Sequence, residues 1–235
     1  MHQGLHWKLG RVLARRIPGF RSCVILIWRS VGSPKFRAAY RDACARGDVR
    51  LHIGSCYVRL DGWLNTDIEP TSPLFLDATR PFPVKENSVR YIFCEHFLEH
   101  ITRQAAFLFL KESFRVLHPG GILRISTPDI EAIVREYLAR SESQRLLLER
   151  NEGLGYKYTR YPVDIVNKAF YEDSHACLYD GESLEQMLRS VGFHDITRYK
   201  VGLGSHSALS GIERHDVGSV EDEFTLVMEA KKLPL

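Results

Sequence analysis

A chain of 235 residues with 44% hydrophobic composition suits one α/β domain with an extension and is too short for two full domains. Its five cysteines, Cys23, Cys44, Cys56, Cys94 and Cys177, are odd in number and hold no C-x-x-C pair. That excludes a disulfide framework and a zinc knuckle, and it makes a reducing, cytoplasmic setting the default. The net charge of +3 is unevenly spread: residues 1–50 carry 11 Lys+Arg against 2 Asp+Glu, and residues 51–235 carry 21 against 27.

The basic head comes first. Arg11, Arg15, Arg16, Arg21 and Arg29 flank the apolar run Cys23-Val24-Ile25-Leu26-Ile27-Trp28, which is too short to span a bilayer and is followed by no small-residue cleavage site. Three readings of residues 1–35 stand: peripheral contact with anionic lipid, contact with nucleic-acid phosphates, or an ordinary amphipathic helix packed on the body. The packed helix is preferred and the lipid contact is second. Regularly interleaved aromatics and glycines, as a single-strand binder uses, are absent, so no nucleic acid is expected.

Strong helix formers at 37–46 end at Gly47, a C-cap before a core strand at 49–53. A second strand is expected at 63–67, and the ten-residue connection leaves room for a helix of one or two turns. A third strand at 74–78 precedes the turn residues Pro81, Pro83 and Asn87, and a buried fourth strand follows at 89–94. Apolar residues Ala106, Phe107, Leu110, Phe114 and Leu117 mark a helix over 102–117, which His118-Pro119-Gly120-Gly121 stops before a fifth strand at 122–126. Asp129 caps a helix at 130–138. Residues 140–173, rich in charge and tyrosine, break the alternation and are expected as an insertion over the strand ends. A helix at 183–190 and strands at 196–201 and 223–230 complete the chain.

The motifs between 51 and 129 carry the chemistry. Leu51-His52-Ile53-Gly54-Ser55-Cys56 places a glycine after the first strand, where backbone can approach a cofactor closely. Trp63-Leu64-Asn65-Thr66-Asp67 ends the second strand on an acid suited to accept from both ribose hydroxyls, with Ile68 next to it. Phe93-Cys94-Glu95-His96-Phe97-Leu98-Glu99-His100 puts Glu95 and His96 at the crevice past the fourth strand. Glu99 and His100 are read as bracing the loop and the next helix.

Taken together, these motifs with Arg115-Val116-Leu117-His118-Pro119-Gly120-Gly121 resemble the class I S-adenosylmethionine-dependent methyltransferases, most closely the bacterial type-11 branch, over residues 49–130 and more weakly to 230. The resemblance implies a Rossmann-like three-layer sandwich with a mostly parallel seven-stranded sheet and an antiparallel C-terminal strand. It divides the chain into a basic helical extension, 1–48, and a methyltransferase-like domain, 49–235, with 140–180 as an inserted cap. It also implies S-adenosylmethionine as cofactor, held by Gly54, Ser55, Cys56, Asp67, Ile68, Asp77, Ala78, Glu95 and His96, with Asp77 and Ala78 near the adenine. Two departures stand out: Cys56 replaces the family's second glycine, and Arg90 replaces the acid that opens the fourth strand.

Methyl transfer is an in-line displacement that needs alignment and, for hydroxyl or amine acceptors, a base. The candidate bases are His96 and His175; Asn167, Phe170 and Tyr171 are candidates for the acceptor wall, with Tyr156 and Tyr161 as further aromatic surface. No metal is assigned, because the order of His96, Glu99 and His100 does not match the H-E-x-x-H helix. The expected activity is methyl transfer to a small-molecule or sugar-containing acceptor. The competing reading is a catalytically inactive methyltransferase-like binding protein. A nicotinamide enzyme is disfavoured by the missing G-x-G-x-x-G.

Overall fold

The computed structural model describes residues 20–139, 141–171, 174–214 and 220–234. Arg11, Arg15 and Arg16 of the basic head, and Glu172 and Asp173 before His175, lie outside them.

The seven strands are β1 (Arg50–Ile53), β2 (Leu64–Asp67), β3 (Leu74–Phe75), β4 (Val89–Glu95), β5 (Leu117–Pro128), β6 (His194–Tyr199) and β7 (Thr225–Lys231). The helices are α1 (Phe20–Arg46), α2 (Arg103–Val116), α3 (Ile130–Ala139), α4 (Glu142–Gly153), α5 (Asp164–Tyr171) and α6 (Gly181–Val191). The strands form one sheet in the order β3-β2-β1-β4-β5-β7-β6. The first five run parallel, and β7 is antiparallel to both β5 and β6. This is the Rossmann-like class expected from the sequence.

Period-two alternation gives the sheet two unlike faces. Leu51, Ile53, Leu64, Ile92, Cys94, Leu123, Ile125, Leu226, Met228 and Ala230 point to one side, where Phe36, Tyr40 and Ala43 of α1, Phe109 and Leu110 of α2, and Leu184 and Leu188 of α6 complete the main core. Gly32 lets α1 lie directly on β3, since a Cβ there would sit 2.5 Å from that of Phe75. Tyr40 ties α1 to the turn before β4 by a 2.9 Å bond to Ser88 and by accepting from the Lys85 amide. The helix expected at 37–46 thus extends back through the apolar run.

The opposite face carries His52, Asn65, Tyr91, Phe93, Glu95, Arg124 and Glu229, all buried, and loops cover it. Asn65 accepts from the Leu60 amide and from His52, and donates to the carbonyls of Leu60 and Trp63, so it fixes the connection after β1. That connection folds as turns with no helix. Val58, Leu60, Trp63, Leu209 and Ile212 pack on Tyr91 and Phe93. Arg124, fully buried, donates to Glu213 and Glu229 at 2.7 Å each. Those glutamates in turn accept from the amides of Gly202 and Ser205. A buried cation with two carboxylates therefore straps residues 200–214 onto the sheet.

Other departures from expectation are local. The third strand closes after Phe75 instead of running to 78, and the Leu76 amide donates to the Asp67 carbonyl. The fifth strand begins at Leu117, because His118-Pro119-Gly120-Gly121 bulges between the pairings Val89↔Leu117 and Tyr91↔Ile122. Gly120 and Gly121 exchange backbone bonds with Lys232 across that bulge. Between β5 and β6, Ile133, Leu147, Leu148, Ile165, Ala169 and Leu178 make a small separate core among α3, α4 and α5. No helix among the described residues is long and apolar enough to cross a membrane.

Candidate active site

β1 connects to β2 on one side of the sheet, and the chain then returns to place β4 on the other side of β1. A crevice opens at the carboxyl ends of strands flanking such a switch, which is where ligands bind in open α/β sheets. Residues 54–56 leave β1 here and His96 leaves β4.

The first turn is held from several sides. Gly54 has φ 67° and Cys56 has φ 47°, so the cysteine occupies the left-handed conformation that glycine adopts without strain. The Ser55 amide donates to the Thr66 carbonyl at 3.0 Å, and its hydroxyl pairs with that of Ser72 at 2.9 Å. The Cys56 amide donates to Asp67 Oδ2 at 2.9 Å, while Oδ1 accepts from the Glu69 amide at 2.9 Å. Burial raises the Asp67 carboxyl above its ordinary value, against the opposing pull of those amides. Burial likewise raises the Cys56 thiol, which keeps it protonated. A Cβ on Gly54 would come within 3.0 Å of the Phe97 side chain, so this glycine also serves packing.

Asp77 is committed to its own turn: Oδ1 accepts from the Thr79 amide and hydroxyl, and Oδ2 pairs with Arg80 at 3.0 Å. Ala78 next to it is buried and Ile68 is half-buried. Glu95, 2% exposed, accepts from the Arg214 amide through both oxygens, at 2.9 and 3.2 Å. The strap over the polar face thus reaches the end of β4.

His96, with φ 47°, turns its Nδ1 to Glu99 Oε1 at 3.0 Å. Glu99 is fully buried on the 3-10 turn Leu98–His100, and its Oε2 accepts from the Thr127 hydroxyl at 2.9 Å. Burial pushes this carboxyl up, but the hydrogen bond and charge of His96 outweigh it and hold Glu99 below the ordinary range. The backbone carbonyl of Glu99 accepts from the amides of Ala176 and Cys177 at 2.7 and 3.2 Å. His175 is thereby brought to the same turn, its ring 5.0 Å from that of His100, with its Nδ1 2.5 Å from the Ala169 carbonyl.

Asn167, Phe170 and Tyr171 lie on α5. Asn167 donates to Asp164 Oδ1 at 3.3 Å, whereas Phe170 and Tyr171 are 43% and 70% exposed and join Tyr158 in an outward aromatic patch. Arg90 is exposed at the far end of β4, stacked on Tyr91 at 5.4 Å. It lines a cavity of about 510 Å³ with His118, Tyr199, His206 and Lys231, remote from the crevice. Sequence reasoning missed Thr127 and the Arg214 amide. The first is a strand threonine two residues before the Asp129 cap with no chemical signature of its own, and the second is 119 residues from Glu95.

Residues 67–125 match the family model described as a methyltransferase domain. Among solved structures, the chain is similar to the CurJ carbon methyltransferase, at 14% identity over 80% of this chain and 49% of that one, with a TM-score of 0.44. The chain thus spans about half the length of that protein. It is similar to a methyltransferase of Thermotoga maritima at 16% identity, 87% and 93% coverage and a TM-score of 0.46. A methyltransferase of Archaeoglobus fulgidus gives 15%, 94% and 98%, and 0.48. No curated protein matches the chain. The matched segment runs from the acid ending β2 to the centre of β5, so residues 67–125 are similar to a methyltransferase domain.

Proposed function

We propose that this chain transfers the methyl group of S-adenosylmethionine to a small-molecule or sugar-containing acceptor, with His96 as the proton acceptor. The observation that carries the reading is the 2.9 Å bond from the Cys56 amide to Asp67, which joins the turn after β1 to the acid ending β2 at the switch point. Each Asp67 oxygen is fixed by one backbone amide and keeps lone-pair capacity for a ribose hydroxyl, so the donor set suits a nucleoside. Gly54, Ser55, Ile68, Ala78 and Glu95 complete the cofactor surface in this reading, with Asp77 shaping the turn beside it. When bound, S-adenosylmethionine supplies a methyl group on a sulfonium sulfur.

The chain's own residues do the rest. In this reading the His96 ring takes the acceptor's proton, and the buried carboxylate on Nδ1 both orients the ring and stabilises the imidazolium that forms. Thr127 fixes the other Glu99 oxygen and so limits rotation of the pair. This carboxylate relay favours His96 over His175 as the base.

Labelled methyl from the cofactor should appear on members of a panel of hydroxylated and sugar-containing small molecules, and His96→Asn should lower that transfer about 100-fold or more. Transfer confined to macromolecules would contradict the acceptor class, and undiminished transfer by His96→Asn would contradict the base.

A cytoplasmic, membrane-peripheral placement is part of the same proposal. It is supported by exposed Leu26, Ile27 and Val31 on α1 beside the exposed Arg29 and Lys35. Binding to anionic vesicles should fade at high salt and with Leu26→Glu/Ile27→Glu; binding indifferent to both contradicts it.

A further inference from the structure

His100 and His175, beside the 3-10 turn Leu98–His100, form with Glu99 a set of which the methyl-transfer reading uses only the carboxylate. The two amides of Ala176 and Cys177 bonded to the Glu99 carbonyl pull residues 175–177 against that turn. A carboxylate oxygen of Glu99, a ring nitrogen of His100 and a ring nitrogen of His175 then lie within 4.8 Å of one another. His100 and His175 cross at 69° with their rings 5.0 Å apart.

We propose that Glu99, His100 and His175 bind one divalent transition-metal ion of the zinc class. Two imidazoles and one carboxylate are a ligand set for zinc, iron and related ions, and three protein ligands leave positions open for water or an acceptor oxygen. The supporting bonds suit the role. The Nδ1 of His175 is 2.5 Å from the Ala169 carbonyl, the way a ligating imidazole commonly gives its other N–H to a backbone oxygen. Glu99 is braced by Thr127 and His96, yet each carboxylate oxygen can accept more than one bond.

Burial grades outward across the set, with Glu99 buried, His175 half-buried and His100 exposed. The ion therefore enters from the His100 side. Metal–ligand bonds of about 2.0–2.2 Å hold ligand atoms roughly 3–3.5 Å apart, so the set must contract from its 4.8 Å span. Rotation of the exposed His100 at the end of its turn supplies that movement without disturbing the core. The linear spacing excluded an H-E-x-x-H helix; the third ligand comes from 75 residues downstream of His100 and is delivered only by folding.

The test is calorimetric titration of the chelator-treated full-length protein with zinc chloride, repeated with cobalt chloride while visible absorption is followed. The expected result is one ion per chain, a cobalt d–d band, and affinity reduced tenfold or more in both His100→Ala and His175→Ala. His118→Ala, which alters a half-buried histidine elsewhere, should leave binding unchanged. Cofactor binding measured on the same samples reports the fold and the methyltransferase site separately. If His175→Ala loses its cooperative thermal transition, the exposed His100→Ala decides alone. No zinc binding by the parent, or binding equal in the parent and His100→Ala, overturns the proposal.

Discussion

The backbone amide of Cys56 donates to the carboxylate of Asp67 at 2.9 Å, joining two residues 11 apart in sequence across the ends of β1 and β2. The bond depends on the conformation of Cys56, which at φ 47° reproduces a glycine turn with a side chain in place. The side chain at this position thus sits on a glycine-like backbone path.

Cys56→Gly should therefore be tolerated. Relief of left-handed strain and the greater entropy of an unfolded glycine nearly cancel, for a net change within about 1 kcal/mol. Cofactor affinity should hold or rise. Cys56→Val places a β-branched residue in the same conformation and should destabilise by about 1–2 kcal/mol. Denaturant unfolding of both variants checks the pair.

The relay from Thr127 through Glu99 to His96 predicts a split in kinetics. Glu99→Gln should lower kcat about 10- to 100-fold while leaving cofactor KM within about threefold, since it alters orientation and charge at the base and not the Asp67 site. Thr127→Val should have the same sign and a smaller size. Steady-state rates with a saturating acceptor measure both, and a rise in cofactor KM without loss of kcat would contradict the assignment.

Removing Arg124 should be among the costliest single changes. Arg124→Met leaves Glu213 and Glu229 buried without their cation, which costs about 3–5 kcal/mol. The loss should appear as earlier unfolding and as faster amide exchange at Gly202, Ser205 and Arg214, the positions the strap holds.

Acid sensitivity should have a traceable source at Glu112. The hydrogen bonds from Arg115 hold its carboxyl below the ordinary 4.5, aided by the Phe82 amide. A depressed folded pKa stabilises the protein above the unfolded value and is lost as pH falls through the folded one. Stability should thus decline below about pH 4.5, and Glu112→Gln should flatten that decline while costing about 1 kcal/mol at neutral pH. Thermal midpoints measured across pH 3 to 7 test the sign.

Much of this architecture is legible in the sequence because its signals are local. Gly47, the Asp129 cap and the apolar spacing of Ala106, Leu110 and Phe114 act within one or two turns of chain, and the strands they bound were found within a few residues. The bulge at His118-Pro119-Gly120-Gly121 was misjudged as a gap before β5, because its pairing partner, Lys232, lies more than a hundred residues away. The polar sheet face was hidden for a similar reason: Arg124 reads as a surface charge until Glu213 and Glu229, 89 and 105 residues on, are brought to it. At the site, Asp67 and His96 are proposed from position alone. The engagement of Asp77 by Thr79 and Arg80, and of Glu95 by Arg214, could not, since residue type does not reveal which partner a carboxylate finds.

The most direct measurement is calorimetric titration of the purified protein with S-adenosylmethionine and S-adenosylhomocysteine, alongside Asp67→Ala. Saturable binding of both ligands at one site per chain, weakened about tenfold or more by Asp67→Ala with the thermal transition retained, is the predicted result, in keeping with the loss of charge-assisted hydrogen bonds. Absence of binding by the parent protein, or equal binding by the folded Asp67→Ala variant, would contradict a cofactor site built on the turn after β1 and the acid ending β2.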